Sequence, residues 1–201
     1  MVQHEAPTIK RALLLAVLAV SGSCTFAEDE SDTIFPSPDG RYAFRTTRTD
    51  DAHEAELIEK ATGKVVQSVA TADEGRFTIS ALWTRDSKRF ALLVSTTRLP
   101  SSAEVFVRGG AKFREIPLPE VDEPKFPTKY ENDKRVWHWA AINYQSPDRW
   151  TKDGSLVVKC ESTKDGNGSY ITAMRTVVFG FDRAGKARIL GNGDKVTTHF
   201  E

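Results

Sequence analysis

Beyond residue 28 the chain alternates. Phe77, Ile79, Ala81 and Trp83 fall at every second position, with Thr78, Ser80 and Leu82 between them. Phe90, Leu92 and Val94 do the same, as do Tyr42, Phe44 and Thr46, and Val177, Phe179 and Phe181. A period of two places one set of side chains on one face of a strand. No stretch past Glu28 keeps a helical period for three turns. The pattern predicts a domain built almost entirely of β-strands.

The strands are punctuated by a recurring turn. Ser37-Pro38-Asp39-Gly40-Arg41-Tyr42 leads into one strand, Thr84-Arg85-Asp86-Ser87-Lys88-Arg89 into another and Thr151-Lys152-Asp153-Gly154-Ser155 into a third. Asp followed by Gly or Ser is suited to a tight turn between apolar strands. A second turn follows each first one, at Thr62-Gly63-Lys64, Gly109-Gly110-Ala111-Lys112 and Ala184-Gly185-Lys186. The third unit is longer, which fits an extended hairpin around Asp165-Gly166-Asn167-Gly168. A period of about 40 to 50 residues is that of propeller blades or a related β-array.

The repeated turn resembles the WD-like repeat of periplasmic β-propellers such as that of the Tol system, which reads Trp-Ser-Pro-Asp-Gly. The first copy departs from it with Phe35-Pro36 before the Ser, the second with Ser87 for Gly, and the third with Lys152 for Pro. The resemblance implies antiparallel blade-like units, three where closed propellers have four to eight. The expected fold is therefore all-β, an incomplete or three-unit propeller-like array, with a β-sandwich as the alternative. The resemblance says little about activity.

Residues 1–27 read differently. Lys10 and Arg11 precede an unbroken apolar run from Ala12 to Val20, and small residues follow to Ala27. Such a run spans about 14 Å as a helix, against a bilayer core of about 30 Å. Basic end, short apolar run and small-residue exit form a secretory signal, which predicts export to the periplasm or the extracellular space and no transmembrane span. Two processing routes stay open: cleavage after Thr25-Phe26-Ala27, or a lipoprotein box at Ser21-Gly22-Ser23-Cys24 that would lipidate Cys24. Either route leaves Cys160 without an intrachain disulfide partner. It is expected to be a buried strand cysteine, on one face with Leu156 and Val158 and opposite Lys159 and Glu161. Residues 28–201 then form a single domain, interrupted by a Pro-rich loop over residues 117–135.

Composition narrows the chemistry. The chain has 28 basic and 28 acidic residues, so its net charge is zero, and no basic excess points to nucleic acid. A hydrophobic fraction of 39% supports a packed core. His53-Glu54 is followed by Leu57, so the two-histidine zinc motif fails, and no Gly-x-Ser-x-Gly elbow occurs. Gly180 to Ala187 matches a phosphate-binding loop up to Ala187, where Ser or Thr belongs. The oxygens around Asp165 lack a calcium loop's final acid, because Thr176 stands there. No cofactor and no metal is expected. The remaining candidate site is Trp137, His138, Trp139 and Tyr144 beside the Pro-rich loop, aromatics suited to another exported protein or a glycan. The alternative for Trp137 and Trp139 is a core-facing strand. The expected function is a non-catalytic binding or scaffold domain; the competing one is a hydrolase whose site is dispersed in sequence.

Overall fold

The computed structural model describes residues 32–49, 52–72, 77–96, 101–130, 142–166 and 169–199. Twelve strands form three four-stranded sheets. The first holds β1 (Asp32–Ile34), β2 (Tyr42–Arg48), β3 (His53–Glu59) and β4 (Lys64–Ala72). The second holds β5 (Phe77–Trp83), β6 (Arg89–Thr96), β7 (Ala103–Gly109) and β8 (Lys112–Ile116). The third holds β9 (Ile142–Trp150), β10 (Leu156–Gly166), β11 (Ser169–Phe181) and β12 (Ala187–His199). Each sheet is an antiparallel meander in chain order, and the three do not close on one another. Among the described residues the helical content is one 3₁₀ turn, Thr128–Tyr130.

The alternating positions become two cores. Tyr42, Phe44 and Leu57 of the first sheet pack against Ala81, Phe90, Leu92, Phe106 and Phe113 of the second. The opposite face of the second sheet, with Ala91, Val105 and Ile116, packs against Leu156, Val158, Cys160, Val177 and Phe179 of the third. The middle sheet is thus covered on both faces, which explains its near-continuous apolar run from Phe90 to Val94. Cys160 is buried in this second core, on the face with Leu156 and Val158. Burial pushes its thiol above the ordinary value, against the opposing pull of the Arg175 charge across the strand pair.

The same turn is built three times. The Ser37 hydroxyl donates to Asp39 at 2.7 Å and accepts from the Tyr42 amide at 2.9 Å. Thr84 donates to Asp86 at 2.7 Å and accepts from Arg89 at 3.0 Å. Thr151 donates to Asp153 at 2.5 Å and accepts from Ser155 at 3.0 Å. Gly40 and Gly154 follow the Asp with φ of 70° and 81°. Ser87 holds the corresponding left-handed conformation, at φ 56°. Its hydroxyl accepts from the Asp39 amide at 3.0 Å, tying the second sheet's turn to the first sheet's. That bond offsets the cost of a side chain in this region.

The indoles repeat a link between sheets. Trp83 Nε1 donates to the Phe35 carbonyl and Trp150 Nε1 to the Leu82 carbonyl, both at 2.9 Å. Phe35 and Leu82 each stand two residues before the Ser or Thr of their own turn, so the link is the same in both places. The first sheet has Pro36 at the Trp position and no preceding sheet to bond.

The outermost faces are charged. Counted from the turn hydroxyl, and allowing for the third turn being one residue shorter, Arg45 corresponds to Leu92 and Val158. Leu92 and Val158 are fully buried, whereas Arg45 is paired with Glu56 at 2.5 Å. On the far face of the third sheet Lys159 pairs with Asp148 at 2.5 Å. Stacking another such sheet there would bury an ion pair, at a desolvation cost. Terminal repeats with polar outer faces stop an array from growing.

The Pro-rich segment is less superficial than a surface loop. Over 117–130 half of the residues are exposed, but Leu118 and Val121 pack onto the second core and Pro124 is buried. Arg175 holds the segment by donating to the Asp122 carbonyl at 3.0 Å while paired with Asp194.

Candidate functional site

Most of the aromatic cluster proposed from sequence lies outside the described residues: Trp137, His138 and Trp139 do, as does Cys24. Tyr144 belongs to β9, opposite Glu161 of β10. The structure therefore does not bring these four together as a described site. His53 stacks on the Phe77 ring, with centroids 5.7 Å apart, and the described contacts give it no Ser or carboxylate partner. The phosphate-loop-like segment is a hairpin turn between β11 and β12, closed by Gly185 donating to the Asp182 carbonyl at 3.0 Å. Among the described residues no three His, Cys, Asp or Glu side chains lie close enough to hold a metal ion. No described helix is long and apolar enough to cross a membrane.

A different concentration of groups emerges from the topology. In a four-stranded meander the first and third turns lie at the same end. Here those are the Asp-containing turns and the Gly-Lys turns, six in all. Each carries at least one Lys or Arg: Arg41; Lys60 and Lys64; Arg85 and Lys88; Arg108 and Lys112; Lys152; Arg183 and Lys186. The described ion pairs use Arg45, Arg149, Lys159 and Arg175, and none of the cations in these turns.

The acidic groups at this end are engaged locally. Asp39, Asp86 and Asp153 accept from the hydroxyls of their own turns. Glu59 accepts from the Thr62 hydroxyl at 3.0 Å, and Asp182 from the Lys186 amide at 2.8 Å. Burial works against ionisation of Asp86, but the Thr84 hydroxyl, the Lys88 amide and the nearby Lys88 and Arg89 charges hold its carboxyl below the ordinary value. At Asp153 the bonds from Thr151 and Ser155 do the same.

Among the clefts that open at this end, two lie between neighbouring sheets, one for each pair. The first, about 480 Å³, is lined by Arg41, Tyr42, Lys64, Arg108 and Lys112 among others. Arg41 and Arg108 lie over the Tyr42 ring, at 5.5 and 5.3 Å from its centroid. The second, about 500 Å³, is lined by Arg85, Arg89, Lys152 and Trp150 and also by Asp86 and Asp153, so its cations outnumber its carboxylates by one. Arg89 lies 5.2 Å from the centroids of both Trp150 and Phe181. Guanidinium groups held on ring faces are ordered before a ligand arrives, and Arg108 is fixed further by its Nε donating to the Gly110 carbonyl at 3.3 Å.

The other end has the opposite character. A cleft of about 700 Å³ there is lined by Glu104, Glu115, Glu120, Asp122 and Glu123. Burial first, and the Glu115 charge second, raise the Glu104 carboxyl above its ordinary value. Among the described residues the clefts at the two ends thus differ in the sign of the charge that lines them. Sequence reasoning treated the charges as a sum and missed this. The signal was present in the repeat itself, because Lys follows the Gly of each second turn, directly at Lys64 and Lys186 and one residue later at Lys112.

Comparison with known proteins adds no family. No protein-family profile matches the chain, and no curated protein sequence matches it. Among solved structures, a likeness is found to the uncharacterized protein lmo1340 from Listeria monocytogenes EGD-e, at 11% identity and a TM-score of 0.33. It covers 78% of this chain, and the chain spans about half, 55%, of that structure. A likeness of this size carries no argument about function.

Proposed function

We propose that this protein is a non-catalytic binding or scaffold domain that meets its partner through the end of the array where the six turns gather. The observation that carries the reading is the set of Lys and Arg side chains in every one of those turns, unused by the described ion pairs while the local acids are hydrogen-bonded within their turns. Exposed charge held on a rigid sheet scaffold steers and orients a partner of opposite charge. Three sheets stacked in one sense, each joined to the last by an indole–carbonyl bond, support an open propeller-like array over a sandwich. The leader-like residues 1–27 support an exported setting, and Cys24 supports a lipid tether as the second processing route.

Cation exchange tests the reading directly. The full chain has a calculated isoelectric point of about 6.9 and no net charge at pH 7. A uniformly mixed surface would pass through a sulfonate resin at pH 7.5. The polarised molecule is retained at low salt, and Lys64→Glu with Lys112→Glu releases it. Passage of the unmodified chain through the column overturns the reading.

A further inference from the structure

We infer that the turn end binds a linear anionic polysaccharide, one bearing a carboxylate or sulfate on successive sugar residues, laid across both basic clefts; this rests on that end being the binding face. The charges do not converge on one point, as they would for a single small anion. They recur from sheet to sheet, and sheets stack about 10 Å apart. Two clefts of similar volume, each with Lys and Arg on its walls, follow one another along the end of the array. A chain with charge at regular intervals fills both, and the second contact gains from the first.

The cations are of the right kind. Arg108 and Arg89 are half-buried with their guanidinium groups over rings, and Arg108 is further held by its Nε donating to the Gly110 carbonyl at 3.3 Å, so each presents a pre-placed cation for a carboxylate or sulfate. Lys64, Lys112, Arg85 and Lys152 are exposed around them.

Other polyanions fit less well. Single-stranded nucleic acid binds by stacking bases on open aromatic rings. Here Tyr42 is only 4% exposed and lies under two guanidinium groups, while Trp150 is faced by Arg89. An acidic peptide gains most of its affinity from apolar anchors in pockets. Of the exposed large apolar residues among those described, Tyr170, Ile189 and Leu190 lie in strands of the third sheet, and Val65 alone borders a basic cleft.

The full chain is titrated with polygalacturonate, heparin, neutral dextran, an oligothymidylate and vesicles containing phosphatidylglycerol. Binding to polygalacturonate or heparin and not to dextran is expected, weakening as salt rises. Lys64→Glu/Lys112→Glu in the first cleft and Arg85→Glu/Lys152→Glu in the second each lower the affinity at least tenfold. The four together abolish binding, and Lys195→Glu on β12 leaves it within twofold; all four positions are exposed, and circular dichroism verifies the fold. Preference for the oligonucleotide or the vesicles, with the same variants weakening it, overturns the polysaccharide assignment and keeps the binding face. Indifference of every probe and of the resin to these variants overturns both.

Discussion

Replacing Thr84 by Val tests the chemistry on which the three repeats rest. Thr84 is 5% exposed, and its hydroxyl accepts from the Arg89 amide and donates to Asp86. The Arg89 carbonyl is also 3.0 Å away, but a hydroxyl has one proton, and the carboxylate at 2.7 Å takes it. Val keeps the branched shape, so packing at the end of β5 is preserved. It removes one hydrogen bond to a charged group and strips the Arg89 amide of that acceptor. A charge-assisted bond contributes about 1.5–3 kcal/mol, and an unsatisfied buried donor costs about 1–3 kcal/mol. The two overlap, and Asp86 is solvated, so the expected loss is about 2–3 kcal/mol by urea unfolding at pH 7. Thr84→Ser keeps the hydroxyl and loses less than about 1 kcal/mol. The pH dependence follows from Asp86, whose folded carboxyl titrates below its ordinary 3.8. A depressed carboxyl contributes its stability in full above the unfolded value and loses it as pH falls through the folded one. The gap between the parent and Thr84→Val therefore narrows below about pH 3.8. Equal stability of the Val and Ser variants, or a gap that widens in acid, refutes the assignment of the hydroxyl.

The indole links are tested by Trp150→Phe, which loses the bond to the Leu82 carbonyl and part of the ring and lowers stability by about 1–2 kcal/mol in urea. No change in midpoint would mean that bond is idle. Gly154→Ala places a methyl carbon 2.6 Å from an Arg89 nitrogen at φ +81°, whereas Gly40→Ala at φ +70° meets nothing within 4 Å. The first variant is expected to cost about 1 kcal/mol more than the second, from displacing Arg89 off its rings; equal melting temperatures would count against it. Cys160, buried and with a raised thiol pKa, resists a thiol-disulfide reagent at pH 8 in the native state and reacts once the chain is unfolded in urea. Prompt reaction in buffer contradicts its place in the core.

Much of the architecture was legible because a period of two leaves few alternatives. Alternation marks Phe77 to Trp83 and Phe90 to Val94 as strands, and both are strands with the apolar face where alternation puts it. The turns were legible too, since Asp-Gly and Gly-Lys carry their own backbone preferences. Leu118 and Val121 were not, because prolines mark irregular backbone and say nothing about whether its side chains reach a core. The aromatic cluster drew attention by composition, whereas the basic end has no compositional signature. Its cations are spread from Arg41 to Lys186 in a chain whose charges cancel.

By itself the sequence determined the strands around Tyr42 to Thr46, Phe77 to Trp83, Phe90 to Val94, Leu156 to Cys160 and Val177 to Phe181, and the turns that recur between strands. Those are local matters, decided by alternation and by the conformational freedom of a few turn residues. Tertiary structure decided that Trp83 and Trp150 reach back to carbonyls of the preceding sheet, that Ser87 serves a neighbouring turn, and that charged pairs close both outer faces. It also decided the polarity of the molecule. Alternate turns of a meander return to one end, so a Lys or Arg placed once in each such turn accumulates there, an addition that exists only once the strands are paired.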